Sequence, residues 1–220
     1  MKRQFFSVGF LAALSLLSTA RPVAAQGAQN APAPDAAAQT QASYRGGLVS
    51  PALAKPKFAL TDTSGAPYDF LAQTQGYVTL LFFGYTRCPD MCPLQMQVIA
   101  QALKQMPSEA ADQFKVVFVT TDPERDTAAV LRAWLDHFDK RFVGLTGRPA
   151  AIEAAQVAAN LSPAKKSATR ANGGYDVGHA AFALAYTKDN FAHVIYPVGV
   201  KEADLAHDLP YLVKERWTGR

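Results

Sequence analysis

Cysteine is nearly absent from this chain of 220 residues, which contains only Cys88 and Cys92. So few cysteines exclude a fold held by several disulfide bonds and a zinc site built from four thiolates. A disulfide between Cys88 and Cys92 would close a very short loop, so it would stabilise the fold little. A purely structural bridge is therefore the weakest interpretation, and the pair is favoured as a metal-binding or redox-active site.

Long hydrophobic runs are also missing, because no apolar segment reaches the roughly 20 residues that a membrane-spanning helix needs. The apolar run at residues 5–17 follows Lys2 and Arg3 and precedes small residues that end at 23–25. This order is typical of an export signal. We predict that residues 1–25 are such a signal, or an uncleaved membrane anchor. The protein would then be exported to the periplasm, either soluble or tethered to the inner membrane.

The chain has no large excess of basic charge, although its formal net charge is +4. Lys2, Arg3 and Arg21 lie in the export segment, and without them 19 basic residues face 18 acidic ones. Phosphate binding requires clustered Lys and Arg, and no basic stripe remains. Nucleic acid is therefore excluded as a partner.

Large apolar residues and charges are scarce in residues 26–55, where Ala, Gln and Pro dominate. Such a composition buries too little surface to offset the entropy of ordering, so we predict a disordered tether. Residues 56–220 are then the folded domain.

The order of patterns in residues 56–220 predicts an α/β fold. A hairpin opens the domain, and a fully apolar strand at 77–83 leads into the cysteine run and a helix. The remaining elements are a strand at 115–120, an inserted helix-bearing section, strands at 180–187 and 191–197, and a helix at 202–214. This order matches a thioredoxin-like fold with an amino-terminal hairpin and an inserted helix-bearing section.

The cysteine run, GYTRCPDMCP at residues 84–93, is placed where the first core strand meets its helix. Cys92 precedes Pro93, which suits a first helical turn, and the helix amino terminus should favour the Cys92 thiolate. Three residues separate the sulfurs, which leaves room for an ion between them. Cu(I) accepts two or three soft ligands, whereas zinc prefers four, so one imidazole would complete a copper site.

Four histidines are available, and His179 is the best candidate because it lies on a loop flank that opens a strand. His137 and His207 lie in predicted helices and His193 in a predicted strand, where solvated or packing roles are favoured. From the residues alone, a structural role for His179 remains equally open.

The polar run DPERDT at residues 122–127 is predicted to be a turn, with Asp126 or Thr127 capping the next helix. Asp90 is predicted to be a turn or dipole-compensating residue, and Met91 is a weak ligand candidate beside two thiolates.

Three runs, at residues 84–93, 121–127 and 175–179, together resemble the Sco/SenC family of copper-binding assembly proteins. The resemblance extends from about residue 56 to the end of the chain. It implies that Cys88, Cys92 and His179 are ligands of copper, as Cu(I) or Cu(II). It also implies delivery of copper to, or reduction of, the dinuclear copper centre of cytochrome c oxidase subunit II, with a copper donor protein as a further partner.

One position departs from the family pattern, since Gly178 stands where an acidic residue usually precedes the histidine. Loss of that carboxylate could loosen the imidazole, and Asp176 is a candidate substitute. Two alternative functions would use the same cysteines. A thiol-disulfide oxidoreductase that reduces a client copper protein would use Cys88 and Cys92 as catalytic residues without needing His179. A peroxidase is disfavoured, because Thr86 lies two residues before Cys88 rather than three.

Overall fold

The computed structural model describes residues 44–169, 174–214 and 216–217. The predicted export segment and residues 26–43 of the predicted tether lie outside these ranges. No helix within the described ranges combines the length and the apolar character that a membrane crossing requires.

The described part of the chain contains ten strands and six helices. The strands are β1 (Gly47–Ala54), β2 (Ala59–Asp62), β3 (Pro67–Asp69), β4 (Val78–Gly84), β5 (Phe114–Thr120), β6 (Val143–Thr146), β7 (Lys165–Lys166), β8 (Val177–Gly178), β9 (Phe182–Tyr186) and β10 (Phe191–Pro197). The helices are α1 (Phe70–Thr74), α2 (Met91–Lys104), α3 (Ser108–Ala111), α4 (Ala128–Asp136), α5 (Pro149–Ala158) and α6 (Glu202–Lys214).

Eight strands form one mixed sheet in the order β1-β10-β9-β4-β5-β6-β2-β3. Strands β4, β5 and β6 are parallel to one another, and β9 runs antiparallel to β4. Strands β7 and β8 form a separate antiparallel pair. The predicted α/β class with an amino-terminal hairpin, β2 with β3, is confirmed, and the arrangement is thioredoxin-like.

Strand β4 lies at the centre of the sheet and is buried along its whole length. Its apolar side chains alternate between two hydrophobic clusters, one on each face of the sheet. Continuous burial explains why the sequence shows an unbroken apolar run here instead of an alternating one. The carboxyl ends of β4 and β5 lie side by side, with Gly84 paired to Thr120. The segments that follow these two strands therefore start from the same edge of the sheet.

Strand β1 lies within the range that the sequence assigned to the disordered tether. It pairs antiparallel with β10 and forms an edge of the sheet. The carboxylate of Asp208 in α6 accepts hydrogen bonds from the backbone N–H groups of Arg45 and Gly46, just before β1. Main-chain pairing and one buried carboxylate hold this segment, so its lack of large apolar residues did not indicate its structure.

Helix α2 buries one face against the sheet, and Cys92, Met96 and Ile99 lie on that face. Leu94 does not lie on that face, because its side chain is 48 % exposed. The face is set by the buried sulfur of Cys92, and a residue two positions later on a helix points in a different direction.

Candidate metal centre

The two cysteines lie where the chain leaves β4 and starts α2. Cys88 is in the connecting loop, and Cys92 is the second residue of the helix. Both are free thiols and both are buried, with Cys92 fully covered and Cys88 6 % exposed. The backbone N–H of Cys92 donates a hydrogen bond to Cys88 Sγ at 3.4 Å, which curls the loop so that the two sulfurs face the same space.

His179 reaches this space from a distant part of the chain, directly after β8. Its Nε2 atom lies 3.4 Å from Cys92 Sγ. One ligand atom from each of Cys88, Cys92 and His179 lies within 4.8 Å of the others. The structure therefore brings together the three residues that the resemblance implied as ligands.

The imidazole of His179 is oriented by the residue that follows it. Its Nδ1 lies 2.9 Å from the carbonyl oxygen of Ala180. A carbonyl oxygen only accepts, so Nδ1 carries the proton and the lone pair of Nε2 faces the sulfurs. Burial lowers the pKa of His179, which favours this neutral form. The rings of Phe82 and Tyr85 pack edge-to-face against the imidazole, with centroids at 5.8 and 5.9 Å.

The structure corrects the expectation that the helix amino terminus makes the Cys92 thiolate form easily. Burial raises the pKa of Cys92 well above its usual value. The desolvation of a sulfur with no exposed surface outweighs the partial positive charge of the first helical turn. In the metal-free protein Cys92 is therefore a thiol at neutral pH, and metal binding would have to displace its proton.

The donor set fits copper(I) better than the harder metals. Two sulfurs and one neutral imidazole nitrogen are soft to intermediate donors, and no carboxylate belongs to the cluster found among the described residues. Three donors suit a trigonal Cu(I) ion, whereas a structural zinc site requires a fourth.

The other three histidines lie away from the sulfurs. His137 is exposed and its Nδ1 lies against the Trp134 carbonyl, while the His207 imidazole contacts Asp208. His193 is buried, hydrogen-bonds Asp189, and stacks on Trp217 with ring centroids 3.9 Å apart. Each of these imidazoles has a partner within its own part of the fold.

Comparison with known proteins identifies the family. The SCO1/SenC family model matches residues 48–214, which is most of the chain. The chain belongs to the SCO1/SenC family. The match begins within β1 and ends at the last residue of α6, so it covers all of the sheet except the first residue of β1, and all three candidate ligands.

Solved structures of this family share the fold. The solution structure of apo Sco1 from Thermus thermophilus is 33% identical, covers 77% of this chain and 97% of that chain, and superposes with a TM-score of 0.69. Bradyrhizobium japonicum ScoI, solved with copper bound, is 32% identical over 73% of this chain and 99% of that chain, with a TM-score of 0.65.

Among relatives known by sequence, the SCO2-like protein of Rickettsia felis is 35% identical over 96 residues, which is 44% of this chain and 46% of that protein. The chain spans about half the length of the curated relatives it matches. The aligned part is thus not the whole of those proteins.

Gly178 leaves space where the resemblance implies an acidic residue. A Cβ atom added there would meet only the Lys165 carbonyl oxygen, at an ordinary contact distance of 3.7 Å. The orienting partner of the imidazole is the Ala180 carbonyl, so neither a residue 178 carboxylate nor the suggested Asp176 carboxylate is needed for that purpose.

Gly178→Asp is therefore expected to fold normally and to change Cu(I) affinity by less than about 10-fold, at the low end of what a lost or gained outer partner does. Competition of the reduced protein with a coloured Cu(I) chelator measures this. A gain well beyond 10-fold would show that the Ala180 carbonyl orients the imidazole poorly. Gly178→Asn is the matched uncharged control.

Residues 122–127 hold site residues that the sequence interpretation missed. Thr127 caps α4 by accepting a hydrogen bond from Val130 N–H. Thr127 was one of the two residues predicted to cap this helix. Asp126 does not cap the helix, because its carboxylate faces the cysteine loop instead. Four charged side chains in one short turn exceed what capping requires, and this excess was the available signal.

Proposed function

We propose that this protein is a copper chaperone that binds Cu(I) through Cys88, Cys92 and His179. The observation that carries the proposal is the convergence of two buried sulfurs and an imidazole Nε2 within 4.8 Å of one another. The copper-bound family structure supports the choice of metal. Copper is the ion that the protein would transfer, and the three ligands that hold it can be replaced one at a time by ligands of the acceptor.

We further infer that the acceptor is the dinuclear copper centre of cytochrome c oxidase subunit II or another exported copper protein. A chain with the predicted export signal would meet such a protein in the periplasm, free or tethered by its amino terminus, where it would also receive copper from a donor protein. Exported thiols tend towards the disulfide, so bound copper would keep this pair from oxidising.

The protein residues have separate parts in binding. Cys88 and Cys92 supply sulfur and lose their protons as the ion enters, and His179 supplies a nitrogen that is already unprotonated. The apolar rings of Phe82 and Tyr85 restrict the imidazole to one orientation. The site is thus organised before the ion arrives.

Thiol-disulfide reduction of the client is the second candidate, because both cysteines are free thiols close enough to pair. In that reaction one thiolate attacks a client disulfide, and the second then releases the client as a dithiol. Two electrons pass to the client, Cys88 and Cys92 form a disulfide, and a periplasmic reductant must restore them.

His179→Ala separates the two functions. If the protein is a three-ligand chaperone, the variant should bind Cu(I) at least about 10-fold more weakly, since a nitrogen donor is lost while both sulfurs remain. Reduced protein is loaded with Cu(I) without oxygen, its copper content is measured, and transfer is followed to a copper-free subunit II domain. Wild-type protein should hold one copper per chain.

The matched control is His137→Ala, which removes an exposed imidazole and should leave loading and transfer unchanged. Each variant is also given the oxidised subunit II domain, and released thiols are counted. Retained copper affinity in His179→Ala, together with full thiol release, would overturn the chaperone proposal in favour of the reductase.

A further inference from the structure

We propose that Asp122, Arg125 and Asp126 are positioning residues that hold the cysteine loop and the histidine loop in register for copper. This inference rests on the proposed function and deepens it. The three belong to the segment between β5 and α4, and none of them is a candidate ligand. They act through the two loops that carry the ligands.

Asp126 holds the cysteine loop. Its fully buried carboxylate accepts hydrogen bonds from the backbone N–H of Thr86 at 2.9 Å and from the Thr86 hydroxyl at 2.6 Å. Thr86 lies two residues before Cys88. The backbone N–H and the hydroxyl of Thr86 thus both donate to the Asp126 carboxylate. These two hydrogen bonds fix the direction in which the chain leaves β4.

Asp122 and Arg125 hold the histidine loop through Tyr175, four residues before His179. The fully buried Asp122 carboxylate pairs with the Arg125 guanidinium and accepts a hydrogen bond from the Tyr175 hydroxyl at 2.8 Å. Arg125 Nη1 donates to the Tyr175 carbonyl at 3.2 Å, and its guanidinium lies 3.6 Å from the centre of the Tyr175 ring. Asp122 and Arg125 therefore contact the hydroxyl, the carbonyl and the ring of Tyr175.

The Thr120 hydroxyl links Asp126, which holds the cysteine loop, to Asp122, which holds the histidine loop. The Thr120 side chain donates to the Asp126 carboxylate at 2.6 Å and accepts from the backbone N–H of Asp122 at 3.0 Å. Thr120 ends β5 and is paired with Gly84 at the end of β4. The two ligand loops thus share one anchor at the edge of the sheet, although Cys88 and His179 are far apart in sequence.

Buried carboxylates are costly unless several donors satisfy them, and a turn that only begins a helix does not need them. Thr127 performs the capping without their help. Asp126 contacts Thr86 on the cysteine loop, and Asp122 and Arg125 contact Tyr175 on the histidine loop. These contacts fit a role in setting the distance between the cysteine sulfurs and His179 Nε2.

Two conservative variants test the contacts to the histidine loop and to the cysteine loop separately. Tyr175→Phe removes the hydroxyl that reaches Asp122 and keeps the ring, and Asp126→Asn removes the charge that Thr86 contacts. Each is expected to weaken Cu(I) binding by about 10- to 100-fold, the usual effect of losing a partner behind a metal ligand. Thr127→Ala, in the same segment, is the structural control and should lower the melting temperature without changing copper affinity.

A double-variant comparison shows the route of each effect. In a His179→Ala background, Tyr175→Phe should cause no further loss of Cu(I) affinity, because it acts only through the histidine. Asp126→Asn should still weaken binding in that background, because it acts through the cysteines. If Tyr175→Phe weakens binding equally with and without His179, the positioning role of Tyr175 and Arg125 is refuted.

A copper-free measurement separates failure of this inference from failure of the proposed function. In the reduced metal-free protein, amide hydrogen exchange should rise at residues 177–180 in Tyr175→Phe and around Thr86 in Asp126→Asn. Unchanged exchange in both variants would refute the network, even if the wild type binds copper. Changed exchange without any copper binding by the wild type would refute the chaperone and retain the network as a holder of these loops.

Discussion

Cys92→Ser is expected to reduce Cu(I) affinity by more than about 100-fold, since loss even of an outer partner of a metal ligand typically costs 10- to 100-fold. The hydroxyl that replaces the thiol is a hard, protonated donor that binds Cu(I) poorly. Cys92 is fully buried, so no other group can move in to take its place. Cys88 and His179 would then be left as the only donors of the cluster.

Chelator competition on the reduced protein measures the affinity, and the melting temperature of the metal-free variant shows whether the fold is kept. Serine has nearly the shape of cysteine, so the metal-free protein should remain folded. Cys88→Ser, which removes the other sulfur, should give a loss of similar size. Wild-type affinity in either variant would remove that sulfur from the site.

Gly84→Ala is expected to damage the site without touching a ligand, and to weaken Cu(I) binding by about 10- to 100-fold. A Cβ atom at this position would lie 2.8 Å from Cys92 Sγ, 2.8 Å from Phe82 and 3.1 Å from Phe118. Phe82 also packs against the imidazole of His179, so both the sulfur and the imidazole would have to shift. Overpacking of this kind costs about 1–3 kcal/mol of stability as well.

Gly144→Ala is the matched control for that prediction. Gly144 lies in β6, and a Cβ atom there would be 2.7 Å from Leu135 and 3.0 Å from Leu131, both in α4, and 2.9 Å from Thr63, directly after β2. It should lower the free energy of unfolding by a similar amount, measured by urea denaturation, and leave copper affinity unchanged. An equal loss of affinity in both variants would mean that Gly84 acts only through general stability.

The central part of the fold could be predicted from the sequence because its signals are local. The apolar run before Gly84 requires a strand buried on both faces, and Pro93 marks the first turn of a helix. Those two features place the cysteines at the end of a core strand. The place of His179 in the site came from the family resemblance, because the residues alone left its role open.

Other features depend on contacts between distant parts of the chain and could not be predicted. Strand β1 is held by pairing with β10 and by Asp208, and neither partner leaves a trace in the composition of residues 47–54. The raised pKa of Cys92 follows from burial under the sheet and the histidine loop. Asp126 was one of two predicted caps, and its actual partner, Thr86, could not be recognised because it lies 40 positions away.

The unequal burial of the three candidate ligands would give the proposed copper exchange a direction. Cys92 has no exposed surface, whereas His179 is only partly covered and Cys88 retains a small opening. Under the proposed chaperone function, an acceptor protein would approach the ion from the side where His179 and Cys88 are exposed, displace the nitrogen first, and take the metal from the two sulfurs afterwards. Cys92 would be the last ligand to release the ion, so copper would pass between the two proteins without entering water.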